Sequence, residues 1–487
     1  MKIPLLSLAL TAALACHLRA APASAAPETQ YLVFQVWPQE HGYPGLPTKP
    51  GHPTLTKEQM AGFIGEIAKA IGTKGDARHK LGFAAGPFSF DVSDDDTRQW
   101  IHDAFAAARE NDVAVAIHLD DSMAWGERKD LLANPDNIET TDWQQTPNKA
   151  RALHWGVSPM SFPPQMCYNA PAIVAAAKDR GALIGQEIAH ELATLKSAGK
   201  EYLFAGIIAG SETQIGSEYG TEHPLGFRAL AHRGFSESHP PKDLDAERAS
   251  VVKEWMQLWA NALNSSGVPR EKIFCHIAFT SQGLRKPSAT ETYAQMVHFA
   301  VPEVAFDPAY RPGFSTYPEG ATTREVHAIV AAHGNPGWIS AEGTNVSPTS
   351  MPGEPNMETY LAKMFNYGAV LTNVFSWGIG GEAQRQKNFF RVATENPEAL
   401  AAYGKFLKGE PLVETSAGAS GGFSSEAFQA KMRRIQAELP AWIQKTGQQA
   451  TVMPMIQKIK DLTKAHQWQE ADKAADELLA LLPTASQ

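Results

Sequence analysis

The stretch YLVFQVW, residues 31–37, is an almost continuous apolar run of the kind that forms a strand covered on both faces. A capping box follows at Thr56 and Gln59, and apolar residues then recur at helical spacing from Met60 to Ile71. Between strand and helix lies a long loop rich in Pro and Gly, residues 38–55, which is typical of a loop that faces a substrate. The stretch therefore opens a strand–loop–helix unit.

The same alternation of apolar runs and amphipathic patterns continues along the chain. Further strands are predicted at residues 81–86, 113–119, 202–210, 273–279, 301–306, 337–342 and 369–377. The accompanying helices are predicted at residues 97–110, 172–197, 246–264, 290–300, 323–333, 357–366 and 397–407. Eight such units predict an α/β fold, the closed (β/α)8 TIM barrel. An open doubly wound sheet is less consistent, because no glycine-rich phosphate turn follows the first strand.

The two ends of the chain differ in composition from this alternating part. Residues 1–26 place Lys2 ahead of an apolar stretch, with small residues at A-x-A spacing around Ala23 and Ala25, which predicts a secretory signal peptide and a secreted or periplasmic location. Lipid anchoring at Cys16 is a less favoured alternative. The barrel is then expected over residues 27–412, a Gly/Ser linker over residues 413–423 and a small helical C-terminal extension over residues 424–487.

The overall composition limits the classes of partner. With 487 residues, 43% of them hydrophobic, the chain can bury a large core, but its net charge of −9 provides no basic surface for a nucleic acid. No segment after the signal reaches the ~20 apolar residues of a membrane-spanning helix. Cys167 and Cys275 could pair in an oxidising compartment, and neither has metal-ligand spacing around it. The sequence leaves that pairing and the oligomeric state open.

Two glutamates stand where a barrel of this kind places its reacting groups, at the C-terminal ends of strands. Glu212 ends the fourth predicted strand and Glu342 ends the seventh, in GWISAEGTNV. Retaining cleavage of a glycoside needs one carboxylic acid to protonate the leaving oxygen and one carboxylate to attack the anomeric carbon, ~5–5.5 Å apart. Because strands four and seven lie on opposite walls of the barrel, the two side chains can meet across its mouth. This chemistry requires no cofactor and no metal.

In these residues the sequence resembles the clan A retaining (β/α)8-barrel glycoside hydrolases, whose proton donor ends strand four and whose nucleophile ends strand seven. The resemblance covers residues 30–412 and implies that Glu212 is the acid/base, Glu342 the nucleophile and Trp377, on strand eight, an aromatic platform beneath the sugar. The implied substrate is a β-linked oligosaccharide or polysaccharide, cleaved by double displacement. Ser211 stands where many clan members have asparagine, and the resemblance does not identify a family.

Other polar and aromatic residues near strand ends are expected to bind the substrate. Carboxylates, histidines and tryptophans after strand three are suited to hydrogen-bonding sugar hydroxyls and stacking on a pyranose ring. Of the two adjacent aspartates only one is expected to contact ligand, since the other can cap the next segment. The substrate-binding candidates are His118, Asp120, Asp121, Trp125, His276, Tyr310, Asn345 and Trp377.

Two other classes of protein remain open from the sequence. A metal-dependent barrel hydrolase would need converging histidines, yet the His-x-His expected at the end of strand one is absent and only His41 follows it. A secreted carbohydrate-binding barrel without activity would keep the aromatic residues and need neither glutamate. Turnover that a chelator abolishes indicates the first class, and ligand binding without turnover indicates the second.

Overall fold

The computed structural model describes residues 28–36, 54–153, 160–221, 223–278, 302–316, 320–343, 356–377, 397–414, 425–464 and 467–482. The barrel strands are β1 Gln30–Val36, β2 His79–Phe88, β3 Ala114–Leu119, β4 Phe204–Ala209, β5 Ile273–Cys275, β6 Gly313–Ser315, β7 Trp338–Gly343 and β8 Ala369–Trp377. All neighbouring pairs are parallel, in the order β5-β4-β3-β2-β1-β8-β7-β6. Backbone hydrogen bonds from Cys275 N to Arg311 O (2.9 Å) and from Ile277 N to Gly313 O (3.1 Å) join the two edges. The predicted (β/α)8 barrel is therefore confirmed.

Helices connect the strands and cover the outside of the sheet. They are α1 Lys57–Ile71, α2 Asp94–Asn111, α3 Pro171–Ser197, α4 Leu244–Ser265, α5 Gly320–Ala332, α6 Met357–Phe365 and α7 Pro397–Leu407. The predicted capping box is present in α1, where the Thr56 side chain accepts from Gln59 N and the Gln59 side chain accepts from Thr56 N. Such a cap stabilises a helix by about 1 kcal/mol.

Long loops after β3 and β4 carry additional short elements. Arg151–Leu153 pairs antiparallel with both Met160–Phe162 and Ser217–Glu218 in a small sheet. Short helices lie at Lys129–Leu132 and Phe227–His232, and 3-10 turns at Pro135–Asn137, Glu201–Leu203, Arg270–Lys272 and Pro302–Ala305. The loops with the most local structure thus follow β3 and β4, the loops in which Asp121 and Glu212 lie.

Strand residues alternate between two apolar layers. In β1, Tyr31 and Val33 face the barrel interior, where they pack with small residues such as Ala84 and Ala116. Leu32 and the next alternate residues join the larger cluster between the sheet and the helices. This alternation is why the strands read as continuous apolar runs in the sequence.

The sixth strand is not where the sequence predicts it. The run at residues 301–306 contains the 3-10 turn Pro302–Ala305, whereas the strand is Gly313–Ser315. Three residues are too few to show a strand pattern, and Pro312 with Gly313 has the composition of a turn. Gly313 is needed because a Cβ atom there would collide with the Cys275 carbonyl oxygen of β5. The prediction of a strand at residues 301–306 was therefore wrong, because the actual strand is too short to show a strand pattern.

The C-terminal part contains three helices, in agreement with its apolar spacing: α8 Ser425–Thr446, α9 Gln449–Lys464 and α10 Trp468–Leu479. Their buried residues form a separate apolar cluster that includes Ile435, Val452 and Leu478. Both Cys167 and Cys275 are buried and free. In the part of the chain that the structure describes, no helix has the length and apolarity needed to cross a bilayer. The predicted signal at residues 1–26, the helix at 290–300 and most of the linker lie outside the described residues.

Candidate active site

Glu212 lies in a sharp turn directly after β4. Its backbone φ is +49°, in the left-handed region, and its side chain is only 8% exposed. A non-glycine residue in this region carries roughly 1–2 kcal/mol of strain, and such strain is concentrated at functional sites. The hydroxyl of Ser315, at the end of β6, donates a hydrogen bond to Glu212 Oε1 at 2.6 Å. The fold thus holds this carboxyl group in place from two sides.

A β-bulge sets the direction of Glu342 in β7. Ser340 and Gly343 are the register partners of Thr372 and Val374, so three steps along β7 match two along β8. The Ser340 hydroxyl contacts the Tyr360 hydroxyl on the outer side (3.0 Å), and a Cβ atom on Gly343 would collide with the same hydroxyl. Strict alternation along the strand from the outward-facing Ser340 would point Glu342 outward as well. The extra residue breaks that alternation, so Glu342 is not required to face outward. Bulges re-aim side chains in this way beside active sites.

Ser315 connects the two glutamates. It is the register partner of Glu342 on the neighbouring strand, and its hydroxyl bonds the carboxyl group of Glu212. The backbone carbonyl of Glu342 also accepts from Thr316 N at 2.8 Å. The carboxyl group of Glu212 and the backbone of Glu342 therefore both lie beside Ser315.

Two buried histidines form the floor beneath these glutamates. His276 is fully buried, and its Nε2 lies 2.9 Å from Ser315 Oγ and its Nδ1 3.3 Å from Gly210 O. His118 is 2% exposed, with Nδ1 2.8 Å from Gln35 Oε1 and Nε2 3.1 Å from Gly210 O. Burial lowers the pKa of His118 to about 4 and that of His276 well below its usual range, so both rings are neutral. Their nitrogens are engaged with the protein and not presented to a substrate.

The two aspartates after β3 also bind protein groups. Asp120 accepts from the backbone N–H groups of Met123 (2.7 Å) and Ala124 (2.8 Å) and so caps its own loop. Asp121 is buried and accepts from Thr213 Oγ1 (2.7 Å) and Trp255 Nε1 (2.9 Å). Burial, together with the charge of Asp120, raises the pKa of Asp121 to about 6. The expectation of one capping aspartate agrees with Asp120, while Asp121 fixes the turn that carries Glu212.

Two aromatic candidates occupy packing positions. Trp125 is fully buried and donates from Nε1 to Pro164 O at 2.8 Å. Trp377 packs edge-on against Phe34 at 5.5 Å between ring centroids and belongs to the layer between sheet and helices. This packing accounts for Trp377 without a sugar ligand, and its buried indole N–H has no hydrogen-bond partner among the described residues.

Tyr310 was assigned to the mouth because strand six was misplaced. It precedes β6 and therefore lies toward the N-terminal end of the barrel, where its hydroxyl donates to Val304 O at 2.6 Å. A substrate at the opposite end cannot reach it, so its predicted binding role was wrong. Asn345 lies outside the described residues.

Sequence reasoning missed Ser315 and two amides of the floor. Gln35 Oε1 accepts from Asn373 Nδ2 at 3.2 Å, and Asn373 also donates to Ala341 O at 2.9 Å, which ties β1, β8 and β7 together. Polar residues inside apolar runs, such as Gln35 in YLVFQVW, were the available signal. Within the described ranges no group of three or more His, Cys, Asp or Glu side chains could hold a metal ion.

The fold defines the molecule as a (β/α)8 barrel, with Glu212 and Glu342 after β4 and in β7. No protein-family model matches the sequence, and no curated protein matches it. Similar solved structures include an exo-β-1,4-mannosidase from an Opitutaceae bacterium, with 11% identity and a TM-score of 0.41 over 78% of this chain and 59% of that one. This chain therefore spans less than two thirds of the mannosidase.

Other barrels are similar to the same extent. The catalytic domain of β-amylase from Paenibacillus polymyxa has 10% identity and a TM-score of 0.43 over 78% of this chain and 98% of that one. A D-allulose 3-epimerase from Methylomonas sp. has 10% identity and a TM-score of 0.37 over 79% of this chain and 98% of that one. Glycoside hydrolases and sugar epimerases are both represented, and at these values the likeness carries no argument about activity.

Proposed function

We propose that the chain is a glycoside hydrolase that cleaves a β-linked oligosaccharide or polysaccharide with retention. The observation that carries this proposal is Ser315, which bonds Glu212 and is the register partner of Glu342. It lies beside the Glu212 carboxyl group and the Glu342 backbone, near the strand ends where barrel enzymes place their reacting groups. A pair of adjacent carboxyl groups is the machinery of double displacement.

The proposed reaction has two steps. In the first, Glu212 gives its proton to the leaving oxygen while Glu342 attacks the anomeric carbon, which forms a glycosyl ester and releases the alcohol. In the second, Glu212 takes a proton from water as the oxygen of that water attacks the same carbon, which releases Glu342 and the sugar. Each step inverts the anomeric carbon, so the product retains its configuration.

The nucleophile can be identified by trapping. A 2-deoxy-2-fluoro-β-glycoside with a good leaving group should add one glycosyl mass to the peptide that contains Glu342, while Glu342→Gln should remain unlabelled and lose at least ~10³-fold in turnover. The measurement is mass spectrometry of the digested protein together with hydrolysis of a panel of aryl β-glycosides. Undiminished turnover in Glu342→Gln would contradict the assignment.

The acid/base can be identified by rescue. Glu212→Ala should turn over aryl glycosides only slowly, and added azide should restore release of the aryl group by forming a β-glycosyl azide, because a small anion can attack without base catalysis. A matched control is Glu191→Gln, a carboxylate of α3 that pairs with His102 on the outer layer, which should keep wild-type turnover. If Glu212→Ala keeps wild-type turnover and azide has no effect, the acid/base role is refuted.

The competing classes give different results in the same assays. A chelator that abolishes turnover would indicate a metal-dependent hydrolase, and sugar binding by calorimetry without turnover of any glycoside would indicate a carbohydrate-binding barrel.

We also propose that the chain is exported and that residues 1–26 are removed on export, on the basis of the sequence pattern. The mass of the mature protein from the periplasm or medium tests this, and an intact N-terminus would refute it.

A further inference from the structure

Ser315 and His276 form a two-residue chain that ends on the Glu212 carboxyl group. Ser315 Oγ lies 2.6 Å from Glu212 Oε1 and 2.9 Å from His276 Nε2. Both residues are at least nine-tenths buried. Since a substrate cannot reach His276, the ring must act, if at all, through Ser315.

The hydrogen atoms in this chain can be counted. The Ser315 hydroxyl has one hydrogen, and a separation of 2.6 Å is typical of an O–H group that donates to a carboxylate. With that hydrogen committed to Oε1, His276 Nε2 can approach Ser315 Oγ favourably only as a donor. The neutral ring therefore carries its single hydrogen on Nε2. His276 Nδ1 then carries no hydrogen, so its 3.3 Å contact with the Gly210 carbonyl is not a hydrogen bond. That carbonyl can accept from His118 Nε2 at 3.1 Å when neutral His118 carries its single hydrogen there and not on Nδ1.

We infer that Ser315 and His276 are positioning residues that keep Glu212 Oε1 occupied as an acceptor, so that the transferable proton resides on the other oxygen, Oε2. This inference rests on the proposed acid/base role of Glu212. Oε1 accepts from Ser315 whether Glu212 is ionised or protonated, so the carboxyl group need not rotate between the two steps. Without the hydrogen bond from Ser315, either oxygen of Glu212 could carry the proton.

Other titratable groups surround the Glu212 turn and contribute to its ionisation. In the described part of the chain they are His118 on β3, Asp121 after β3, His276 after β5 and Glu342 on β7. Ser315→Ala changes none of these groups. A change in the pH profile of this variant therefore reports the lost hydrogen bond.

The kinetic test uses Ser315→Ala. A hydrogen bond to the carboxylate favours its ionised form, so its loss should move the basic limb of the kcat/KM profile up by roughly 0.5–1 pH unit. Turnover of alkyl glycosides, which need proton donation, should fall ~10-fold, while 2,4-dinitrophenyl glycosides, which do not, should change by less than about twofold. The control is Thr372→Val on β8, which removes a buried hydroxyl without a hydrogen-bond partner in the described residues and should leave both readouts unchanged.

His276 gives a second kinetic comparison. His276→Gln keeps an N–H donor close to the place of Nε2 and should retain most of the leaving-group dependence of the wild type. His276→Leu removes the donor and should reproduce the pattern of Ser315→Ala. Equal behaviour of the Gln and Leu variants would overturn the role of the ring as a donor.

A measurement without turnover keeps the inference separate from the proposed function. In protein labelled with ¹⁵N-histidine, long-range nitrogen–proton correlation identifies the protonated ring nitrogen, and loss of the signal in His276→Gln identifies the residue. We expect Nε2–H at neutral pH, and Nδ1–H would overturn the inference. If Glu212→Ala is rescued by azide but Ser315→Ala has an unchanged pH profile, the positioning role alone fails. If Glu212→Ala keeps full turnover, the proposed function fails first.

Discussion

At the scale of single residues, Glu212 combines a strained backbone with a side chain whose Oε1 accepts a hydrogen bond from Ser315. A left-handed φ of +49° is easy for glycine and costly for other residues. The combination is what a fold tolerates where a particular functional group is needed at a fixed point.

This strain predicts an order of stabilities. Glu212→Gly should have a free energy of unfolding roughly 1 kcal/mol above that of Glu212→Ala, because both lack the carboxyl group and only alanine bears the strain. Chemical denaturation of the two variants measures the difference. At Glu191, inside α3, the same pair should have the opposite order by about 1 kcal/mol, since glycine weakens a helix interior. An equal or reversed order at position 212 would contradict the account of strain.

At the scale of elements, the barrel is closed between its two shortest strands, β5 and β6, of three residues each. Gly313 of β6 lies so close to β5 that an added Cβ atom would collide with the Cys275 carbonyl. We expect Gly313→Ala to lower the free energy of unfolding by about 2 kcal/mol or more, because the two strands must separate at the closing contact. Gly65→Ala, on the exposed face of α1 with no atom near the added methyl group, should instead be neutral or stabilising by up to about 1 kcal/mol. Thermal unfolding followed by circular dichroism compares the two variants.

The same elements show what the sequence could predict. The strands with long apolar runs and the helices with amphipathic spacing were placed to within a few residues, and Glu212 and Glu342 were found because each ends such a run. The sixth strand was missed because a three-residue strand has no periodicity. The error displaced Tyr310 to the wrong end of the barrel and hid Ser315.

The partners of the site residues were less accessible to sequence reasoning than their positions. His118 and His276 stand at strand ends, as predicted, but which groups their ring nitrogens meet depends on neighbours far apart in the chain. The direction of Glu342 depends on a bulge, and nothing in WISAEG marks the extra residue. Spacing therefore located the candidates, and only the packed structure shows which of them have their polar atoms bound by other protein groups.

At the scale of the whole molecule, the loops around the mouth bury ionisable groups that make stability depend on pH. Glu139 is fully buried and accepts from the backbone N–H groups of Arg228 and Ala229, at the start of the short helix Phe227–His232. Burial raises the pKa of Glu139 to about 7. Because the pKa of Glu139 is higher in the folded state than its ordinary value of 4.5, folding favours the protonated side chain. The resulting contribution to the free energy of unfolding is complete below pH 4.5 and is lost as pH rises through 7.

Glu139→Gln should remove that dependence. Relative to the variant, the wild type should lose roughly 3 kcal/mol of unfolding free energy between pH 4.5 and pH 7, on top of a constant difference. Asp130→Asn should give the opposite slope at lower pH, because Arg128 lowers the pKa of Asp130 and its stabilisation is lost as pH falls. Urea titrations at a series of pH values measure both slopes. A constant difference for Glu139→Gln across the range would contradict the assigned cause.

The position of Ser315 gives the short strand β6 a consequence for folding. The three residues that complete the ring of strands also deliver the hydroxyl that orients Glu212. A refolding chain that has formed every other strand pair would still lack the hydrogen bond that orients Glu212. If Glu212 is the proposed acid, turnover after dilution from denaturant should not recover before β5 and β6 have joined, so its recovery would report closure of the ring of strands.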